Sequence, residues 1–276
     1  MIADDAPLPA GARRAAVVRL RDGRRSESTD WITEEVPVAL EFNGIAHAVM
    51  LATPADLEDF ALGFGLSEGI FDAPSDLHDC EVESSDDGLT VHMEVSARSF
   101  ARLKLRRRTL AGRTGCGLCG VESLAQALRP PPVVSAGDAI ACAAIGRAMD
   151  AMRERQRLCR ATGATHAAAW CASDGAARIV REDVGRHNAL DKLVGAMARA
   201  DVDPRRGFVA VTSRASVEMV QKAAAAGAPL LAAVSAPTLL AIETAERAGM
   251  CLVGMARQCN LVAYAHPEHL SFATGD

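Results

Sequence analysis

Residues 208–255 read FVAVTSRASVEMVQKAAAAGAPLLAAVSAPTLLAIETAERAGMCLVGM, and this stretch decides the fold. Apolar runs at 208–211, 230–234 and 251–255 have the length of buried strands. Between them, 217–226 and 238–248 have helical composition, and Gly227 and Gly249 stand where helix ends belong. Strands alternating with helices imply a sheet with parallel strands covered by helices. Upstream, the pattern continues as strands at 166–171 and 178–184, joined across Asp174-Gly175, and a helix at 188–200. A long helix is expected over 137–158. The fold class is α/β, with a core preceded by a smaller α+β region.

That first region has its own signals. Asn43-Gly44 separates the apolar runs 36–42 and 45–51, which is hairpin chemistry. Pro54 is expected to start a helix, with Asp56, Glu58 and Asp59 at its positive dipole end. Gly63-Phe-Gly65 within it lacks the spacing and preceding strand of a phosphate loop, so close packing is the expected use. A second hairpin is expected at 80–84 and 89–95, and a basic helix at 99–108. Residues 1–30 read as polar and arginine-rich. Glycines then surround Cys116 and Cys119, and Pro130-Pro131-Pro132 makes a stiff break. The expected division is an N-terminal α+β region at 1–110, a glycine-rich loop and linker at 111–132, and a final domain at 133–276.

The net charge of −5 gives no support for binding nucleic acid or an acidic membrane through the whole chain. Residues 1–16 lack the apolar segment of an export signal, and no run approaches the roughly 20 apolar residues of a membrane span. A cytoplasmic, reducing location is therefore expected, where structural disulfides are rare. Of the eight cysteines, Cys142, Cys159, Cys171 and Cys251 sit in apolar or helical stretches and read as small core residues. Cys80 reads as a strand residue. Cys116, Cys119 and Cys259 remain for chemistry.

Cys116-Gly-Leu-Cys119 is the sharpest feature. Residues 121–128 read as helix, so Cys119 would lie near a helix N-terminus, and Arg106, Arg107, Arg108 and Arg113 are close in sequence. Both influences favour the nucleophilic thiolate. A structural zinc site would want a second cysteine pair, and none exists. A thioredoxin-like dithiol would follow a strand in a βαβ unit, and none is seen. A sulfur-carrying cysteine on a glycine-rich loop fits best.

The second feature is Arg181-Glu-Asp-Val-Gly-Arg-His-Asn-Ala-Leu-Asp-Lys192, where a strand is expected to end and a helix to begin. Open α/β sheets bind ligands at such junctions. Asn188 is the expected N-cap with Asp191 at N3, while Arg186 and Lys192 offer charge and the helix amides suit a phosphate. The competing reading is a self-satisfied ion-pair network. Two more junctions, at 212–216 with Arg214 and at 235–238 with Ser235, share the same sheet edge. Ser216 and Ser235 also suit helix capping. Met255, Ala256, Arg257, Gln258, Cys259 and Asn260 then form a polar loop. His166 precedes a strand, but Ala168 occupies the position of a zinc deaminase's glutamate, so that chemistry is not expected.

Residues 113–124, 162–168, 181–192, 216–223, 233–238 and 252–254 together resemble the FdhD family, the formate dehydrogenase accessory sulfurtransferases. The resemblance covers about residues 15–272. It implies a cytidine-deaminase-like three-layer α/β/α core without zinc, and a homodimer. It further implies that Cys116 carries a persulfide received from a cysteine desulfurase, with Cys119 as its partner. The sulfur's destination would be the molybdenum of bis-molybdopterin guanine dinucleotide, before that cofactor enters formate dehydrogenase. By position, Met255 to Asn260 match the family's cofactor-binding loop. Arg186 or Arg214 would hold a pyrophosphate, with His187 and Ser235 beside them. The alternative is a chaperone that binds the cofactor without transferring sulfur.

Overall fold

The computed structural model describes residues 10–110 (side chains to 105), 130–258 and 260–271. Cys116, Cys119, Cys259 and the helix expected at 121–128 lie outside the described residues.

A ribbon opens the described chain: β1 (Ala12–Arg21) pairs antiparallel with β2 (Arg24–Thr33) across Asp22-Gly23. Both turn residues have positive φ, 50° and 73°. The ribbon departs from the polar reading of residues 1–30. Arginines fall on both of its faces, which hides the alternation, but Asp-Gly between β-compatible runs is a hairpin signal.

The two expected hairpins follow. β3 (Val36–Phe42), β4 (Ile45–Ala52), β5 (Leu77–Ser85) and β6 (Gly88–Val95) form a sheet in the order β4-β3-β6-β5. One face buries Val38, Leu40, Phe42, Val91 and Met93 against α1 (Leu57–Ser67) and α2 (Ala97–Leu110). The first of these helices starts three residues after Pro54, behind Asp56 at φ 53°.

The long helix expected over 137–158 is divided. Ile140–Ala141 form the short strand β7, followed by α3 (Cys142–Arg155), a break at Gln156, and α4 (Arg157–Thr162). Then come β8 (His166–Ala172), β9 (Ala177–Asp183), α5 (Arg186–Arg199), β10 (Gly207–Val211) and α6 (Val217–Ala225). β11 (Leu230–Ala233), α7 (Leu239–Ala248), β12 (Cys251–Arg257), β13 (Asn260–Ala265) and β14 (Leu270–Ser271) complete the chain. The larger sheet has the order β13-β12-β11-β10-β8-β9. Its pairs β10–β11 and β11–β12 are parallel, as the alternation implied. The tight turn at Asp174-Gly175 makes β8 antiparallel to β9, and β8 also pairs antiparallel with β10, a long-range contact that no turn dictates.

Alternation along these strands builds three layers. Val209, Val211, Leu231 and Leu252 face α5, α6 and α7. Phe208, Ala210, Leu230 and Val253 face Ile145, Met149 and Met152 of α3. Small side chains let backbones approach where the two sheets' helices meet. A Cβ on Gly63 would stand 1.7 Å from the Asp191 carbonyl oxygen, and one on Gly195 would stand 1.9 Å from that of Asp59. A Cβ on Gly65 would strike the Phe71 ring at 2.1 Å. Gly63 and Gly65 serve close packing as the sequence implied, at the crossing of α1 with α5 and against Phe71, and Gly195 serves the same crossing from the other helix. No helix among the described residues is long and apolar enough to cross a membrane.

Candidate functional site

β9 runs parallel to β10 because β8 is antiparallel to both. The C-terminal ends of β9, β10, β11 and β12 therefore reach one sheet edge, together with the start of β8. Backbone bonds tie that edge together: Thr212 N donates to Ala167 O at 3.0 Å, Val234 N to Val211 O at 3.1 Å, and Met255 N to Ser235 O at 3.3 Å. The N-termini of α5, α6 and α7 open on the same edge. The junctions carrying Arg186, Arg214 and Ser235 are thus brought to one line, as expected from the order of elements.

The 181–192 stretch divides between structure and site. Lys192 cannot reach a ligand: it is fully buried, 2.7 Å from an equally buried Asp183. Its Nζ also donates to Thr53 O at 2.9 Å. Asp183 accepts from Thr53 N, Gly185 N and Asn188 Nδ2. Asn188 is not the N-cap, because the helix begins at Arg186 behind Gly185; its amide instead reaches Leu51 O. Asp191 is not a capping acid either. It pairs with Lys222 at 2.9 Å and accepts from Ser67 Oγ at 2.6 Å, while Glu68 meets Lys222 at 2.8 Å. Burial works against the Lys222 ammonium, but Asp191 and Glu68 outweigh it and raise its pKa. Arg181 is taken by Asp59, 2.6 Å away. Glu182 accepts from Leu158 N and Cys159 N at the start of α4. The partners Thr53, Asp59 and Ser67 come from the first hundred residues, a distance in sequence that no local pattern announces.

Arg186 and His187 are left over. Arg186 Nε and His187 Nε2 are buried and have no hydrogen-bond partner among the described residues. Burial, with Arg186 and Lys222 nearby, pushes His187 down to about 4. Its Nε2 lies 4.0 Å from a Glu218 carboxylate oxygen. One strand across, His166 Nδ1 is 3.4 Å from Thr212 Oγ1, and burial and Arg186 hold its pKa low. At neutral pH both imidazoles are uncharged beside a guanidinium, an arrangement that accepts a hydrogen-bonding anion. An unfolded histidine takes up a proton near pH 6.5 that folded His187 refuses. Its contribution to stability is therefore complete above about pH 6.5 and falls as pH drops toward 4. Melting curves should lose less between pH 7 and 5 in His187→Gln than in the parent, and equal losses would refute this.

The remaining expected residues fall out as follows. Arg214 is exposed in the loop after β10. Ser216 occupies the N-cap position of α6, and Thr238 rather than Ser235 caps α7, accepting from Ala241 N at 3.3 Å. Met255 to Arg257 and Asn260 do not lie in a loop after the last strand. Met255 to Arg257 continue β12, and Asn260 begins β13 opposite Arg257. Ala256 points inward at 1% exposure, whereas Met255, Arg257, Gln258 and Asn260 are exposed. Met255 and Gln258 take positive φ, 54° and 53°. The Gln258 carbonyl packs on Gly146 of α3. The residues of this stretch extend β12 because Ala256 fills the core between two outward side chains, a strand pattern that the polar composition masks.

Among the described cysteines, Cys171 and Cys251 are core residues, and burial raises both thiols to about 12. Cys80, Cys142 and Cys159 are half-buried. Burial raises Cys80 to about 11 and also raises Cys142. The four shifted thiols are poor nucleophiles.

Comparison with known proteins places this architecture. A protein of Variovorax paradoxus named sulfur carrier protein FdhD is 56% identical over 97% of this chain and 96% of its own length. One of the same name from Bordetella petrii is 54% identical over 96% of both chains. A crystal structure from Desulfotalea psychrophila, provisionally described as a formate dehydrogenase accessory protein, superposes with a TM-score of 0.74. It covers 94% of this chain and 99% of that one at 22% identity, which speaks for the fold alone. The family model described as FdhD/NarQ matches residues 33–271, which span the first sheet, the glycine crossing and the whole edge bearing Arg186 and His187, and the chain belongs to that family.

Proposed function

We propose that this protein is a cytoplasmic sulfurtransferase, a sulfur carrier in formate dehydrogenase maturation. The observation that carries this reading is identity above 50% over nearly the whole chain with relatives named sulfur carrier proteins. In this reading Cys116 thiolate attacks the outer sulfur of a cysteine desulfurase persulfide, gaining that sulfur and releasing the donor's thiolate. Attack by Cys119 on the inner sulfur of the Cys116 persulfide then expels hydrosulfide toward the acceptor and leaves a Cys116–Cys119 disulfide. An external dithiol restores the pair, becoming a disulfide itself. The raised thiols of Cys80, Cys142, Cys171 and Cys251 support assigning the sulfur to the glycine-rich loop.

The acceptor is the molybdenum of bis-molybdopterin guanine dinucleotide, bound as substrate before delivery to formate dehydrogenase. The edge of β9 to β12 suits it, since helix amides and Arg186 meet pyrophosphate charge and Met255 to Asn260 flank the line. The three-layer core fits a cytidine-deaminase-like domain working without zinc, and two chains act as a homodimer. Sulfur loading tests the first part: incubation with a desulfurase and cysteine should add one sulfur atom, mapped to Cys116. Sulfur found on Cys171 or Cys251 instead would overturn it. Guanosine diphosphate tests the second part by calorimetry. Loss of a charged hydrogen bond of about 1.5–3 kcal/mol should weaken Arg186→Ala by roughly ten- to a hundredfold. Exposed Arg214 should matter less. An Arg186→Ala protein that binds as tightly as the parent would mean that the nucleotide sits elsewhere.

A further inference from the structure

β13 runs antiparallel to β12, and Ala265 pairs with Leu252 near the start of that strand. The chain leaving β13 therefore emerges at the opposite end of the larger sheet from the edge that bears Arg186. There it reads His266-Pro-Glu-His269, with a single helical turn at Pro267–His269, before β14 pairs with β7. His266, Glu268 and His269 each offer one ligand atom, and these atoms all lie within 4.8 Å of one another. The two imidazole rings stand 6.0 Å apart, centroid to centroid. Among the described residues no other three side chains of this chemistry converge in the same way.

The hydrogen bonding of His266 makes this more than a polar cluster. Its Nε2 lies 3.1 Å from the carbonyl oxygen of Glu246 in α7. A carbonyl only accepts, so Nε2 carries the hydrogen and Nδ1 of the neutral ring is left with a lone pair. That lone pair faces Glu268 Oε1 at 2.8 Å. A carboxylate oxygen also offers only lone pairs, so a cation must stand between the two. A proton serves this pair alone, whereas a metal ion uses His269 as well. In metal sites the second nitrogen of a ligating imidazole is commonly held by a backbone carbonyl, which fixes the ring and its tautomer. Pro267 restricts the backbone between the first ligand and the second, so less freedom is lost when the three close on an ion.

We propose that His266, Glu268 and His269 bind a divalent metal ion of the zinc type, with the remaining position open to water. Two imidazoles and a carboxylate suit zinc, whereas magnesium and calcium take oxygen ligands. Ligand atoms around a tetrahedral zinc stand about 3.4 Å apart, so small rotations of Glu268 and His269 close the group. The Glu268 side chain is 63% exposed and able to turn. The ion clamps the end of β13 to α7 through Glu246 and steadies the approach to β14. It stabilises the fold and takes no part in the chemistry, because the site lies at the far end of the sheet from His166 and Ala168. The sulfur transfer proposed above runs without it.

The test is calorimetry with zinc chloride on the full chain carrying Cys116→Ser/Cys119→Ser, whose cysteine pair can no longer compete for the metal. One zinc ion should bind per chain, and magnesium chloride should give no heat of binding. His269→Ala in that background should weaken zinc by at least about a hundredfold, the most that loss of an outer hydrogen-bond partner costs a metal site. His269 leaves the bond from His266 to Glu246 untouched; if this variant misfolds, Glu268→Gln, at an exposed position, decides instead. With zinc at about a hundred times its dissociation constant, the melting temperature should rise by roughly 5 °C. His269→Ala should show no such rise. Cobalt in place of zinc should give visible absorption without the intense near-ultraviolet band of a thiolate ligand. Absence of zinc uptake overturns the site, as does uptake that His269→Ala and Glu268→Gln leave unchanged. Zinc that binds the parent but not the Cys116→Ser/Cys119→Ser chain belongs to the cysteine pair and overturns it too.

Discussion

Cys116→Ala is expected to abolish sulfur delivery completely while leaving the fold and guanosine diphosphate affinity unchanged. The sulfur acceptor must be a thiolate, and alanine offers no atom to hold the outer sulfur. Cys171 and Cys251, raised to about 12 by burial, are almost wholly protonated at pH 7 and cannot substitute. In Cys119→Ala the persulfide should still form, but its release should slow, so sulfur accumulates on Cys116 and formate dehydrogenase activation falls. The intact mass after desulfurase treatment, with formate dehydrogenase activity as the second readout, separates the two variants. A Cys116→Ala protein that binds guanosine diphosphate and still activates formate dehydrogenase would favour the chaperone reading. One that loses nucleotide affinity as well would mean that the cysteine loop forms part of the crevice.

Lys192→Met should be the most destabilising single change in the described core. It leaves Asp183 fully buried without a counter-charge and removes the bond to Thr53 O. Breaking such a pair from one side costs roughly 3–5 kcal/mol, which corresponds to a fall in melting temperature on the order of 10 °C. Asp183→Asn in the same chain should recover part of the loss, since the remaining polar group is then neutral and still bonded to Gly185 N and Asn188. A Lys192→Met protein melting within about 2 °C of the parent would mean that the pair is not closed off from water. The effect should also reach the site: Asp183 accepts from Gly185 N, the residue that opens α5, so nucleotide binding should weaken with stability.

Local chemistry in the sequence already determined most of the architecture. Asn43-Gly44 and Asp174-Gly175 carry the positive φ of their turns at the asparagine or glycine positions, so these hairpins needed no distant partner. The apolar runs of 208–255 with glycines behind the helices determined the succession β10 to β12, which brings Arg214 and Ser235 to one edge; Arg186 joins them through the pairing of β8 with β9 and β10. The cysteine pair and the motif of 181–192 pointed to the family for the same reason, being contiguous in the chain.

Tertiary structure decided what could not be contiguous. Arg186 and Lys192 look alike in the sequence, each a cation near a helix start. Lys192 points into the protein, where Asp183 and Thr53 neutralise it, whereas Arg186 Nε has no partner among the described residues. Asp191 has the spacing of a capping residue, but Lys222, thirty-one positions on, outbids the local amides. The antiparallel pairing of β8 with β10 and the strand character of Met255 to Arg257 likewise depend on neighbours in space. A charge buried in a medium of low polarity must find an opposite charge wherever the fold supplies one, and that demand is invisible in any window short enough to read along the chain.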